Sequence, residues 1–190
     1  MKKVCYTIFF LFLSAFNGYA DLKYVPPEGF EDYLTPNIQL TPISPRHTGL
    51  TSTPVPVLYF FTAVTGKDIQ FAISEPAAAE PLLKTTLKAP SQPGIYGFGL
   101  ADYKVELKKD VEYEWVLRIQ TDPKQPSADI VGTGAVKFVP MAKDLTEKVN
   151  KVKGEELHRI YAENGYWYDA VDCVNIIVNR ESVNKEKKKE

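Results

Sequence analysis

The chain has 190 residues and a formal net charge of −1, from 23 basic and 24 acidic side chains. A near-neutral chain without a basic stripe lacks the charge pattern of a nucleic-acid-binding protein, so we expect no nucleic-acid partner. Two cysteines and two histidines exclude a multi-disulfide framework and leave few ligands for zinc.

Residues 1–20 have the pattern of a secretory signal peptide. Two lysines open the chain, an almost purely apolar stretch follows over 4–16, and a small-x-small end closes at Ala20. That order is typical of export signals, and the apolar stretch is too short to span about 30 Å of hydrocarbon. We therefore expect cleavage between Ala20 and Asp21, an exported periplasmic or extracellular bacterial protein, and no stable membrane insertion afterwards.

Residues 21–54 carry prolines at short intervals and apolar residues without a period. Proline removes a backbone donor and restricts the residue before it. This composition predicts a proline-rich linker without regular structure.

Residues 55–140 have the period of β-strands. A hairpin-type turn at 65–67 follows the first strand, and Gly132 and Gly134 permit a bulge or a close approach within the last. The predicted strands cover 57–62, 68–74, 82–88, 94–100, 111–120 and 129–139. Short strands without helices between them predict a mainly β protein, an antiparallel β-sandwich with an immunoglobulin-like layout.

The strand at 111–120 alternates most clearly, which predicts one face on the core and the other in water. Its predicted core face consists of Val111, Tyr113, Trp115, Leu117 and Ile119.

Residues 141–180 change to a helical period and predict a helical segment packed on the sandwich. Apolar positions recur at three- and four-residue spacing, and Asn164-Gly165 separates the last two stripes as an antiparallel helical hairpin. His158, beside two glutamates, is expected on the helix surface. Residues 181–190 form a charged tail, which we expect to be solvated.

Catalytic sets are missing from the sequence. It contains no His-Glu-x-x-His, no Cys-x-x-Cys and no Gly-x-Ser-x-Gly, and each of these patterns has a defined chemical role. We therefore expect no enzyme, no cofactor and no metal site. Removal of the signal peptide leaves Cys173 as the single cysteine, which is more often a small core residue than a nucleophile.

Two segments offer candidate binding residues. Asp122 and Asp129 flank a proline-rigid turn, where turn hydrogen bonding is favoured over a ligand or calcium site. Tyr166, Trp167 and Tyr168 surround the second helical break. They either form a stacking platform for a sugar or peptide, or attach the helices to the sheet, which we favour.

Several motifs occur in an order that resembles a known family. They are Tyr24-Val25-Pro26-Pro27, Pro93-Gly94-Ile95, Tyr113-Glu114-Trp115, Asp122-Pro123, Ser127-Ala128-Asp129, and the run Tyr-Ala-Glu-Asn-Gly-Tyr-Trp-Tyr-Asp-Ala at 161–170. Together they are similar to the bacterial family called "domain of unknown function 928". The resemblance implies a small exported bacterial protein and assigns no activity. Members often carry a cysteine before the Asp-Pro turn, where Thr121 stands here.

Three functions follow as hypotheses. The leading one is a non-enzymatic protein-interaction or scaffold module that binds a cell-envelope protein. The second is a carbohydrate-binding module that uses Tyr166, Trp167 and Tyr168, with Tyr96 as a further candidate. The third and least favoured is a hydrolase that uses Asp122, Asp129 or His158.

Overall fold

A computed structural model describes residues 39–152 and 156–187, with side chains to residue 178. The predicted signal peptide, its cleavage site at Ala20 and Asp21, and residues 21–38 lie outside these ranges. Within these ranges the protein is mainly β, with two sheets followed by three α-helices.

Each of the six predicted strands is confirmed to within one residue at either end. The strands are β1 (Leu40–Pro42), β2 (Gly49–Thr51), β3 (Val57–Thr62), β4 (Ile69–Ser74), β5 (Leu83–Leu87), β6 (Gly94–Gly99), β7 (Glu112–Ile119) and β8 (Ile130–Phe138). The α-helices are α1 (Lys143–Lys151), α2 (Leu157–Glu163) and α3 (Trp167–Lys187), and short 3₁₀ helices cover Leu100–Tyr103 and Pro126–Ala128.

The strands form a three-stranded sheet, β1-β3-β6, and a five-stranded sheet, β2-β8-β7-β4-β5. The named strands pair antiparallel except β2 and β8, which run parallel, with Gly49 opposite Val136. An all-antiparallel arrangement is therefore wrong for this pair. Strand β2 comes from the segment predicted as a linker, and the long connection between β2 and β8 lets the chain return in the parallel direction.

Strands β1 and β2 lie inside the proline-rich range 21–54, where no regular structure was expected. Proline is compatible with β1 because of its register. The Ile43 amide donates to the Tyr59 carbonyl at 2.8 Å, so Pro42, one residue earlier, occupies a position whose amide would point away from β3. An edge strand tolerates proline there.

The predicted hairpin between the first two long strands is wrong. Strand β3 pairs with β1 and β6, whereas β4 pairs with β5 and β7. The intervening turn, with Gly66 at φ +70°, carries the chain from one sheet to the other. A two-residue period identifies a strand and its apolar face, but it does not identify the strand's partner.

The core takes side chains from both sheets. Phe71 of β4 stacks on Phe98 of β6 with ring centroids 4.1 Å apart. Four of the five residues on the predicted inward face of this strand are fully buried, namely Tyr113, Trp115, Leu117 and Ile119. The fifth, Val111, precedes β7 and is partly buried against the core. Each large apolar side chain buried in this way stabilises the fold by about 1.5–3 kcal/mol.

The two glycines of β8 permit close approach rather than a bulge, since its register with β7 is continuous from Ile130 to Lys137. A Cβ on Gly132 would lie 2.6 Å from Pro42 Cδ, and one on Gly134 would lie 2.7 Å from the Trp115 ring. Strand β1 of one sheet therefore seats directly on β8 of the other.

The helices differ from expectation at two points. His158 of α2 is buried, not on the helix surface, and so are Ile160 and Ala162, because α2 is covered on more than one side. Helix α3 continues to Lys187, so residues 181–187 of the predicted tail are helical. Among the helices in the described ranges, none is both long and apolar enough to cross a membrane.

Candidate functional site

The aromatic motif lies where α3 begins, and there five side chains attach the helix to both sheets. We call this set the α3 anchor: Trp167, Tyr168, Asp169, Asp172 and Asn175. The contacts of each member define what the motif can do chemically.

The two aromatic members hold the first turn of α3. Trp167 donates its indole N–H to the Ile43 carbonyl at 3.0 Å. The Tyr168 hydroxyl accepts a hydrogen bond from Trp115 Nε1 at 3.0 Å and donates to the Ala135 carbonyl at 2.9 Å. Tyr168 is 1% exposed, so its hydroxyl bridges β7, β8 and α3 inside the protein.

Asp169 ties α3 to the residue that follows β2. Its carboxylate accepts hydrogen bonds from the Ser52 amide, at 2.9 Å, and from the Ser52 hydroxyl. Burial raises the pKa of Asp169, and the hydrogen bonds from Ser52 offset only part of that rise.

Asp172 and Asn175 bind a tyrosine of the other sheet. The Tyr59 hydroxyl donates to Asp172 Oδ1 at 2.6 Å and accepts from Asn175 Nδ2 at 3.1 Å. Burial and the neighbouring Asp172 carboxylate raise the pKa of Tyr59 well above its ordinary value. The phenol is therefore a protonated donor that fixes α3 on β3.

These contacts decide where the aromatic candidates lie. Tyr166 and Tyr168 are buried, and Trp167 is partly buried. Neither Tyr166 nor Tyr168 can therefore present a ring face on an open surface. Trp167 and Tyr168 instead make the contacts expected if the motif attaches the helices to the sheets.

The sequence interpretation assigned no role to Ser52, Tyr59, Asp169, Asp172 or Asn175. One signal for them was present. Tyr168, Asp172 and Asn175 follow i, i+4, i+7 spacing, which places their polar ends on one helix face. The apolar period of this helix falls on other positions, such as Trp167, and a buried polar side chain adds nothing to an apolar pattern.

The Cys173 thiol lies among these carboxylates. Burial, then the charges of Asp172 and Asp169, raise its pKa to about 11. The thiol is therefore protonated near neutral pH, and a thiol is a far weaker nucleophile than a thiolate.

Asp122 and Asp129 occur in the same turn but have separate partners. Asp129 accepts a hydrogen bond from Arg118 Nε at 2.6 Å and another from the Thr121 amide at 3.1 Å. Asp122 accepts one from the Lys124 amide at 2.8 Å, an ordinary turn contact. Across 39–152 and 156–187, no group of three or more His, Cys, Asp or Glu residues could hold a metal ion.

The Asp129–Arg118 pair predicts a pH-dependent contribution to stability. Partial desolvation raises the pKa of Asp129. The hydrogen bonds from Arg118 and Thr121, together with the Arg118 charge, lower it by more than that rise, so the folded pKa lies below the ordinary value. Between the folded and the unfolded pKa of Asp129, the unfolded state binds more protons than the folded state. The stabilisation is thus complete above the unfolded pKa and is lost as pH falls through the folded one.

We therefore expect Asp129→Asn to destabilise the protein near neutral pH and to approach the wild type on acidification. Urea unfolding from about pH 7 to about pH 2 checks this. Asp122→Asn is the matched control, because it removes an exposed carboxylate of the same turn without touching the pair. Parallel stability curves for Asp129→Asn and wild type would contradict the assignment.

Comparison with curated proteins finds none that matches this sequence significantly. A family model described as Domain of Unknown Function (DUF928) matches residues 29–190. The match includes both sheets, the Asp122–Asp129 turn and the α3 anchor. The chain therefore belongs to the family of the domain of unknown function 928.

Proposed function

We propose that the protein is an exported, non-enzymatic interaction or scaffold module that binds a cell-envelope protein in the periplasm or outside the cell. The observation that carries the proposal is the use of the polar side chains of the α3 anchor. Tyr168, Asp169 and Asp172 all direct their polar atoms into hydrogen bonds within the fold. Side chains used in this way support a structural role for the α3 anchor rather than a catalytic one.

The proposed architecture is an immunoglobulin-like sandwich capped by a helical hairpin. The stacking of Phe71 on Phe98 across the sheets supports two layers facing each other. For the hairpin, the Tyr166 amide donates to the Tyr161 carbonyl at 3.0 Å, and Gly165 adopts φ +80°, a turn geometry that reverses the chain. Ala162 and Ala170, both buried, are small enough to let α2 and α3 approach.

Sugar binding by the aromatic motif is the weaker alternative. Burial removes Tyr166 and Tyr168 from the accessible surface. The Tyr96 hydroxyl already donates to the Gln92 carbonyl at 2.6 Å. Within this motif a carbohydrate site would depend on Trp167, which is partly buried and already donates its indole N–H to the Ile43 carbonyl.

Photo-crosslinking in the native cell tests the interaction. A photoreactive phenylalanine analogue would replace Leu82 or Val131, which are exposed apolar positions, or, as the control, the exposed Lys124. We expect an adduct with the same cell-envelope protein at an apolar position and not at Lys124. Identical adduct patterns at every position, or no adduct at all, would contradict the proposal.

Export is tested separately, by expressing the full-length chain and measuring the intact mass of the protein in each cell fraction. We expect the processed form to begin at Asp21 and to lie outside the cytoplasm. A bulky side chain in place of Ala20 should block processing, because the peptidase requires a small residue there. An unprocessed cytoplasmic product would contradict this part of the proposal.

A further inference from the structure

Among the described strands, β6 is an edge of the three-stranded sheet. The hydrogen bonds around it identify which of its backbone groups point outward. The Leu100 amide donates to the Pro56 carbonyl at 3.2 Å, so these residues are a hydrogen-bonded pair. In an antiparallel ladder, bonded and non-bonded pairs alternate. Phe98 and Tyr96 therefore bond to β3, opposite Leu58 and Phe60.

The intervening residues of β6 are Ile95, Gly97 and Gly99. They oppose Phe61, Tyr59 and Val57 as non-bonded pairs, so their N–H and C=O groups point away from β3. Over the described ranges these outward groups have no backbone partner. An edge of this kind is a template for another extended chain.

The other three sheet edges carry features that limit pairing. Strands β1 and β2 are three residues long, and β1 ends at Pro42. Strand β5 presents the exposed Lys84. Short edges, proline and lysine are the devices that prevent edge-to-edge association. Strand β6 has six residues, Gly-Ile-Tyr-Gly-Phe-Gly, with no proline and no charge, and Ile95 is 61% exposed.

The sequence of β6 is complementary to itself when reversed about Gly97. In an antiparallel pair centred there, Ile95 of one copy lies opposite Gly99 of the other, and Gly97 lies opposite Gly97. All of these residues have outward backbone groups, so each pair exchanges two hydrogen bonds. On the other face Tyr96 lies opposite Phe98 of the second copy, whose ring is buried in its own core against Phe71. The absence of charge also avoids like-charge repulsion across the two-fold axis.

We infer that two copies of this protein associate through antiparallel pairing of their β6 edges, centred on Gly97, which joins their three-stranded sheets into one continuous sheet. The occupant is a second copy because the free groups, the neutral sequence and the reversed register all match the strand itself. This inference is independent of the proposed cell-envelope partner.

Sedimentation over a range of concentrations tests the dimer, using protein purified after expression of the full-length chain. Wild type should convert from monomer to dimer as its concentration rises. Ile95→Lys should weaken association about tenfold or more, because a charged edge opposes pairing. Val131→Lys introduces the same charge at another exposed β-branched residue, 44% exposed, and should dimerise as wild type does. Equal weakening by both variants, or by neither, would overturn the inference.

Amide hydrogen exchange gives a second measurement that depends on the register. The Ile95, Gly97 and Gly99 amides should exchange about tenfold more slowly in the dimer than in the monomer, whereas the Tyr96 and Phe98 amides should be protected in both. A wild type that stays monomeric at every concentration overturns the inference. If the outward amides are protected in that monomer, another segment of the same chain pairs with β6. If they exchange freely, the β6 edge is open to a different partner.

Discussion

Replacing Tyr168 with alanine should lower the free energy of unfolding by about 3–5 kcal/mol, the range for truncating a buried aromatic side chain. The ring is 1% exposed, and its edge lies 2.8 Å from where a Cβ on Gly49 would stand. Truncation would therefore leave a cavity between β2, β7 and α3. Urea unfolding followed by circular dichroism measures the loss.

The hydroxyl contribution can be isolated with Tyr168→Phe. This change leaves the Trp115 indole N–H without its acceptor, and an unsatisfied buried donor costs about 1–3 kcal/mol. Tyr103→Phe is the matched control, because Tyr103 is 39% exposed, and it should change stability by less than about 0.5 kcal/mol. A double-mutant cycle with Trp115→Phe should give a coupling energy of about 0.5–1.5 kcal/mol. No coupling would mean that the hydroxyl does not bridge β7 and α3.

The expected loss also explains one of the motifs that resemble the family, the run at 161–170. Within the run at 161–170, Asn164 donates to the Ile160 carbonyl at 2.8 Å, and Gly165 takes the positive φ that ends α2. Trp167, Tyr168 and Asp169 then contact the sheets. The motif is the segment that turns the chain and attaches α3, so its alteration should be seen first in stability.

The strands could be predicted because their apolar faces leave a two-residue period. Strand β7 shows this, since Tyr113, Trp115 and Leu117 are all fully buried as their spacing indicated. The pairing of β3 and β4 with different sheets could not be predicted from that period. Partner choice depends on long-range packing, which one strand's sequence does not contain.

The candidate site was predictable only in part. The aromatic residues at 166–168 were identified from the sequence, but their burial depends on β2 and on the loop after β1. Both lie in the segment 21–54, whose proline content predicted a linker rather than two short strands. The Ser52–Asp169 and Tyr59–Asp172 contacts join residues more than a hundred positions apart. Side-chain pairs of that separation leave no local pattern.

Replacing Gly132 with alanine should also be strongly destabilising, by about 3 kcal/mol, the upper part of the usual range for overpacking. The new Cβ would lie 2.6 Å from Pro42 Cδ and 2.9 Å from the Leu40 carbonyl oxygen. Neither the proline ring nor the backbone can move without displacing β1, whose seat on β8 joins the two sheets. The same unfolding measurement reports the loss.

Gly94→Ala is the control for this prediction, because it adds the same methyl group to another strand glycine. The nearest atom to its Cβ, Tyr96 Cε2, would be 3.7 Å away, an ordinary van der Waals contact. Alanine also restricts the unfolded chain more than glycine does, so this variant should be neutral or up to about 1 kcal/mol more stable. If Gly132→Ala were as well tolerated as Gly94→Ala, β1 could not be seated on β8, and the joining of the two sheets at this edge would have to be revised.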